Sequence, residues 1–140
     1  HFSPGEGCRR KILDLCQQAL HSVHICVFTI SDDRLSRAVL ECHQRGLDVR
    51  VITDNEKQHD LGSDIEWLRE QGVPLRIDKG PYHMHHKFAL FDGQILLNGS
   101  FNWTRSASDY NEENLLVTDQ VQLVADYRRE FEKLWQRYAV

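Results

Sequence analysis

Apolar and polar positions change period several times along this chain, and the changes divide it into helices and strands. Ser3-Pro4-Gly5-Glu6 reads as a helix start, with Ser3 as N-cap, proline in the first turn and Glu6 closing a capping box. Ile12, Leu13, Cys16 and Leu20 then recur at helical spacing, which predicts a helix to about Leu20. His24 to Ile30 is β-branched and aromatic without regular alternation, as expected of a strand buried on both faces. Ser31 and Asp32 cap a second helix ending near Arg45, where Gly46 supplies the stop. Asp48 to Thr53 reads as another strand, and the polar stretch from Asp54 to Gly62 as a loop. Ser63-Asp64-Ile65-Glu66 forms a further capping box, opening a short helix closed by Gly72. Pro74 to Asp78 gives a third strand. Lys87–Phe91 and Gln94–Leu97 flank Asp92-Gly93, the strongest short hairpin signal. Asn114 to Thr118 is a further strand. Asp119 and Gln122 then cap a last helix with Leu123, Val124, Tyr127, Phe131, Leu134 and Tyr138 at core spacing.

The alternation strand–helix–strand–helix–strand calls for parallel pairing through right-handed crossovers, and the later hairpin adds antiparallel strands. The expected fold is α/β: an α/β/α sandwich around a mixed, largely parallel sheet, with a β-hairpin carrying the chemistry described below. A length of 140 residues suits one domain, residues 1–140. With 41% hydrophobic and 27% charged residues the chain has globular rather than disordered composition. Its longest apolar run, Ile25 to Phe28, is far below the roughly 18–20 residues of a spanning helix. The opening HFSPGEG lacks the basic start and apolar run of a secretory signal. A soluble, cytoplasmic domain is the favoured expectation. Because the chain begins at His1, a removed upstream targeting or anchor segment stays open.

Cys8, Cys16, Cys26 and Cys42 match no CxxC-type zinc spacing and no dense disulfide framework. Reduced thiols packed as small apolar residues are expected. A zinc site drawing on Cys8, Cys16 and a histidine is the rival reading.

The net charge of −4 argues against a broad basic surface for nucleic acid. Between Arg76 and Arg105, however, four basic residues (Arg76, Lys79, Lys87, Arg105) face two acidic ones (Asp78, Asp92), and three histidines join them. Positive charge is concentrated in this one window. Within it, His85 and Lys87 stand two apart on an extended segment and so share a face. An imidazole beside an ammonium suits an anionic substrate: the lysine holds a negative oxygen while the imidazole attacks or carries a proton. Gly99-Ser100-Phe101-Asn102 follows the second hairpin strand and returns to the end occupied by His85. Gly99 permits close backbone approach, and Ser100 and Asn102 offer a hydroxyl and an amide to an oxyanion. A metal centre built on His83, His85 and His86 is disfavoured, since His85 and His86 face opposite sides of a strand and no carboxylate falls at ligand spacing.

His85-His86-Lys87-Phe88-Ala89-Leu90-Phe91-Asp92 is similar to the H-x-K-x4-D motif of the phospholipase D superfamily. Gly99-Ser100-Phe101-Asn102-Trp103-Thr104 resembles that family's downstream G-S-x-N segment, and Glu112-Glu113-Asn114 its distal acidic element. The resemblance spans essentially the whole chain. It is strongest to the single-motif members, namely the bacterial Nuc-type nucleases and the Zucchini/mitochondrial cardiolipin hydrolases.

The resemblance implies a two-step phosphodiester transfer without metal or other cofactor. His85 would be the nucleophile, forming a phosphohistidine, and His85 of the partner subunit in a homodimer would protonate the leaving oxygen and later activate water. Lys87, Ser100 and Asn102 would bind the non-bridging oxygens, and Glu113 would orient the imidazole. Asp92 matches the motif, but its place at the hairpin turn makes a structural role at least as well supported. Attack and leaving-group protonation occur on opposite faces of phosphorus, and one chain supplies one such histidine. A two-fold axis therefore completes the site on physical grounds as well.

Three functions are open. The first is an endonuclease on single-stranded nucleic acid, with Tyr82 and Trp103 as candidate stacking surfaces unless they belong to the core. The alternative is a phospholipase D-type lipid phosphodiesterase acting on cardiolipin or a similar head group. A non-catalytic module that keeps the fold is the third.

Overall fold

The structure, a computed structural model, describes residues 1–55 and 62–139. In chain order its elements are β1 (Phe2–Ser3), α1 (Gly7–Gln18), β2 (Ser22–Val27), α2 (Asp33–Gln44), β3 (Asp48–Asp54), α3 (Ile65–Glu70), β4 (Leu75–Asp78), β5 (Lys87–Phe91), β6 (Ile95–Gly99), α4 (Arg105–Asp109), β7 (Glu113–Thr118) and α5 (Val121–Arg137). The strands form one sheet in the order β1-β7-β6-β5-β2-β3-β4. Alternation along β2 sorts its side chains to two cores. Val23, Ile25 and Val27 pack under α1, α2 and α3, whereas Cys26 joins Phe88, Leu90 and Leu96 under Val124, Phe131, Leu134 and Trp135 of α5. Helices thus cover both faces, as expected of an α/β/α sandwich.

The balance of pairing differs from the expected largely parallel sheet. Among the described strands β2–β3 and β3–β4 are parallel, while β1–β7, β7–β6, β6–β5 and β5–β2 are antiparallel. The crossovers through α2 and α3 impose the parallel half. After β4 the chain passes to the other side of β2, where the tight hairpin forces antiparallel neighbours.

Other local expectations shift for identifiable reasons. Ser3 is not a helix cap: it lies in β1, opposite Glu113, and its Oγ donates to the Asn111 carbonyl at 2.9 Å. The open edge of β7 offers backbone partners there, and α1 starts later with Glu6 at an N-cap that has no side-chain bond. Leu20 falls beyond α1 and is exposed, as is Leu123 in the first turn of α5. That turn is capped by Gln120, whose Oε1 accepts from Leu123 N at 2.7 Å. β2 ends at Val27, and Ile30 makes an isolated bridge to Trp103. The short helix α4, unmarked by apolar periodicity, is capped by Thr104 Oγ1. The expected polar loop falls largely on residues 56–61, outside the described residues, and Asp54 belongs to β3. Asp32 caps α2 as expected, accepting from Arg34 N at 3.0 Å. Cys8, Cys16, Cys26 and Cys42 are all buried and unbridged.

Asp92 and Gly93 both take left-handed backbone angles, φ 56° and 63°, the geometry of a type I′ hairpin turn. The Asp92 carboxylate accepts from the backbone N–H groups of Leu20, His21 and Ser22 at 2.7–3.1 Å. It thereby joins the turn to the start of β2. Partial burial pushes this carboxyl up, but the hydrogen bonds from Ser22, His21 and Leu20 outweigh it and hold the group below its ordinary value. A carboxylate depressed in the folded state stabilises the fold above its unfolded pKa, about 3.9, and the gain is lost as pH falls through the lower folded value. Asp92→Asn keeps a residue suited to the left-handed angle and removes the charge. It is expected to lower stability by about 2 kcal/mol at pH 7, with a narrower gap to the parent at pH 3. Urea unfolding at the two pH values measures this.

Candidate active site

Three strand ends meet at one rim of the sheet. Lys87, the first residue of β5, lies opposite Val27, the last of β2. Phe88 lies opposite Asn98, so Gly99 ends β6 beside Lys87. The β2–β5 ladder continues through Phe28 N donating to the His86 carbonyl at 3.0 Å. This continuation keeps residues 85–87 extended and sends successive side chains to opposite sides. His86 accordingly turns to α5, 3.3 Å from Glu130, and His83 turns to Asp54, 3.7 Å away. His83 and His85 both pack against Phe28, their ring centroids 6.3 Å apart, while His86 points to the α5 side.

His85 and Lys87 come together as expected. The Lys87 ammonium lies 3.0 Å from His85 Nδ1 and donates to the His85 carbonyl at 2.8 Å. Phe28, half-buried, forms the floor: its ring centroid is 4.6 Å from that of His85, and Lys87 Nζ stands 5.6 Å from it. Desolvation first, then the Lys87 charge and His83, lower the His85 pKa below its ordinary value, which favours the neutral imidazole at neutral pH. Burial lowers the Lys87 pKa, and Glu113 opposes that shift.

Ser100 and Glu113 are linked through the β6–β7 pairing, with Gly99 opposite Leu115. Ser100 Oγ donates to Glu113 Oε1 at 2.6 Å and accepts from Asn114 N at 3.1 Å. The other carboxylate oxygen of Glu113 accepts from Asn111 Nδ2 at 3.1 Å. Among the described residues Glu113 makes no hydrogen bond to His85 of its own chain, because the strand register delivers it to Ser100 instead. Within one chain its charge acts on Lys87. Asn102 Oδ1 accepts from Thr29 N at 3.3 Å, pinning the Gly-Ser-Phe-Asn segment to the end of β2. Trp103 is fully buried and is core rather than a stacking surface; Tyr82 is exposed. Asp92 sits at the far end of five-residue β5, about 16 Å along the strand from Lys87.

Phe28 and Asp54 are parts of the site that sequence patterns did not single out. Asp54, fully buried at the end of β3, accepts from Met84 N at 2.7 Å and so fixes the backbone leading into His85. Both residues stand at or just past carboxyl ends of parallel strands, where open α/β sheets place ligands, and that rule was the available signal. A cleft of about 400 Å³ opens beside them, lined by His83, His85, His86, Glu130 and Arg137 among others. The His85 imidazole and the Lys87 ammonium beside it can receive a singly charged tetrahedral anion.

A mixed α/β sheet presenting this constellation defines a phospholipase D-like domain. The chain belongs to that family: the family model described as "Cardiolipin synthase, PLD-like domain" matches residues 12–135. Among curated proteins it is 48% identical over 128 residues to the mitochondrial cardiolipin hydrolase of Chlamydomonas reinhardtii, covering 91% of this chain and 57% of that protein. It is 49% identical over 128 residues to the protein of that name from Xenopus tropicalis, covering 91% and 61%. The human one is 40% identical over 134 residues, covering 96% and 53%. The chain thus spans little more than half the length of these relatives. Their names are mitochondrial, which does not favour the cytoplasmic expectation. Among solved structures, the fold matches the phospholipase D family member Nuc of Salmonella typhimurium with a TM-score of 0.89 at 24% identity, covering 96% of this chain and 91% of that one. NucT from Helicobacter pylori matches with 0.85 at 26% identity, covering 97% of both.

Proposed function

We propose that residues 1–140 form a single catalytic domain that hydrolyses phosphodiesters through a phosphohistidine, without a metal or other cofactor. The observation that carries this reading is His85, its pKa lowered, held 3.0 Å from the Lys87 ammonium. With one proton held between the two imidazoles, the neutral His85 attacks phosphorus and displaces the leaving oxygen, which takes that proton from His85 of the partner subunit. The same partner imidazole then deprotonates a water that attacks the phosphohistidine and frees His85. Lys87 and Ser100 hold non-bridging oxygens, and Asn102 holds the segment that aims Ser100. Glu113 acts through Ser100 and Lys87 by orienting the hydroxyl and favouring the charged ammonium. Exposed Phe2 and Leu116, on β1 and β7 next to Glu113, give a second copy of the chain an apolar surface to cover.

The favoured substrate is single-stranded nucleic acid. The positive window, Arg137 in the cleft wall and exposed Tyr82 support it. Cardiolipin is the second reading, favoured by the names of the curated relatives. Among the described residues no helix is long and apolar enough to cross a membrane. Incubation with labelled single-stranded DNA, RNA and cardiolipin vesicles, each with EDTA, separates the readings. Cleavage of nucleic acid in EDTA is expected. Cleavage of lipid alone selects the second reading, and loss of all cleavage in EDTA overturns the metal-free mechanism.

A further inference from the structure

Helices α1 and α2 lie side by side on one face of the sheet and point the same way, because β2 runs between them in the chain. Their last turns therefore meet. Cys16 stands in the last turn of α1 and Cys42 in the last turn of α2. Cys42 Sγ donates to the Cys16 carbonyl at 3.4 Å, and the two thiols are within hydrogen-bonding reach of each other. Arg45, at the C-terminal cap of α2, donates to the Cys16 and Ala19 carbonyls at 3.1 and 2.9 Å and approaches Cys42 Sγ at 3.9 Å. Those carbonyls close α1, where a helix has no acceptors' partners of its own, so backbone geometry holds the guanidinium beside the sulfur. A cleft of about 250 Å³ whose walls include Cys16, Glu41 and Arg45 reaches the Cys16 side of the pair, and Cys42 itself is fully buried.

We propose that Cys16 and Cys42 are a dithiol that a hydroperoxide converts to a disulfide, stapling α1 to α2. In the first step the Cys42 thiolate attacks the peroxide, the O–O bond breaks, and a sulfenic acid and an alcohol form, the alcohol taking the proton that Cys42 released. Cys16 Sγ then attacks Cys42 Sγ, the S–O bond breaks, and hydroxide leaves as water with the Cys16 proton. Two thiols and one hydroperoxide give one disulfide, one alcohol and one water. The hydrogen bond from Cys16, with the Arg45 charge, holds the Cys42 thiol down at about 7, against burial. Cys8 and Cys26 stand apart from this chemistry, since burial raises both, and Cys26 lies on the other face of the sheet against Met84.

The staple restricts the unfolded chain between residues 16 and 42 and leaves the active site alone. Cys16 and Cys42 lie near the start of β2, whereas His85 lies at its end. Oxidation is expected to raise the melting temperature by about 10 °C with turnover at 25 °C unchanged. The full chain is treated with tert-butyl hydroperoxide and followed by intact mass, peptide mapping and thermal unfolding. The expected result is a loss of two hydrogens, a Cys16–Cys42 linked peptide and a higher melting temperature, all reversed by dithiothreitol. Cys16→Ser should gain oxygen at Cys42, Cys42→Ser should gain none, and neither should show a thermal gain. Gain of oxygen without linkage in the parent chain overturns the proposal. So does a linked pair that includes Cys8 or Cys26, or a linked chain that melts no higher.

Discussion

His85→Ala is expected to lower phosphodiester turnover about 10⁴-fold or more, with the melting temperature nearly unchanged. The side chain is exposed at the rim of the sheet, so its removal leaves the core intact. What is lost is the nucleophile. Lys87 and Ser100 remain to bind the anion, so the KM is expected to move far less than kcat. Brief incubation with phosphorus-labelled substrate followed by an alkaline quench should leave label on the parent chain and none on the variant. Mixed dimers sharpen the result. If each reaction draws one imidazole from each subunit, a purified heterodimer of parent and His85→Ala chains has no complete site and falls to background. A heterodimer with half the parental turnover would show that one chain suffices.

Gly99→Ala is expected to be the most damaging single-methyl change, lowering stability by about 3 kcal/mol and the turnover of what still folds by about 10²-fold. A Cβ at Gly99 would stand 2.1 Å from the Asn114 carbonyl oxygen, 2.9 Å from its carbon and 3.1 Å from Leu115 Cα. All three are backbone atoms of β7, so no side chain can swing aside, and the strands must part. Parting them breaks the Ser100 N–H bond to Asn114 and moves Ser100 away from Glu113. Gly7→Ala provides the contrast, since a Cβ there meets nothing nearer than 3.6 Å within a helix. It is expected to be neutral or slightly stabilising. Urea midpoints and kcat for the two variants test the pair.

Much of the site was legible because its signals are local. His85 and Lys87 share a face through the two-residue period of an extended chain. Asp92-Gly93 fixes the hairpin, and the hairpin brings Gly99 and Ser100 back to the same end. The terminal helix was legible for the same reason, except that Leu123, in its first turn, is exposed. Ser3 misled because a capping box is a local option, and pairing with β7, more than a hundred residues away, displaced it. Phe28 and Asp54 carry no local mark. One reads as an apolar residue in an apolar run, the other as the end of a strand, and only the meeting of three strand ends makes them floor and anchor.

The amino-acid sequence by itself determined most of the elements, though not β1 or α4, and with them the α/β class, the hairpin and the His85–Lys87 pair, since each follows from spacing within a few residues. Tertiary structure alone decided the antiparallel half of the sheet, the union of Glu113 with Ser100 rather than His85, and the burial of Trp103. It alone also brought Cys16 to Cys42 across two helices. These depend on which distant segments share a surface, and that is set by how all the apolar faces are buried at once rather than by any one stretch of chain.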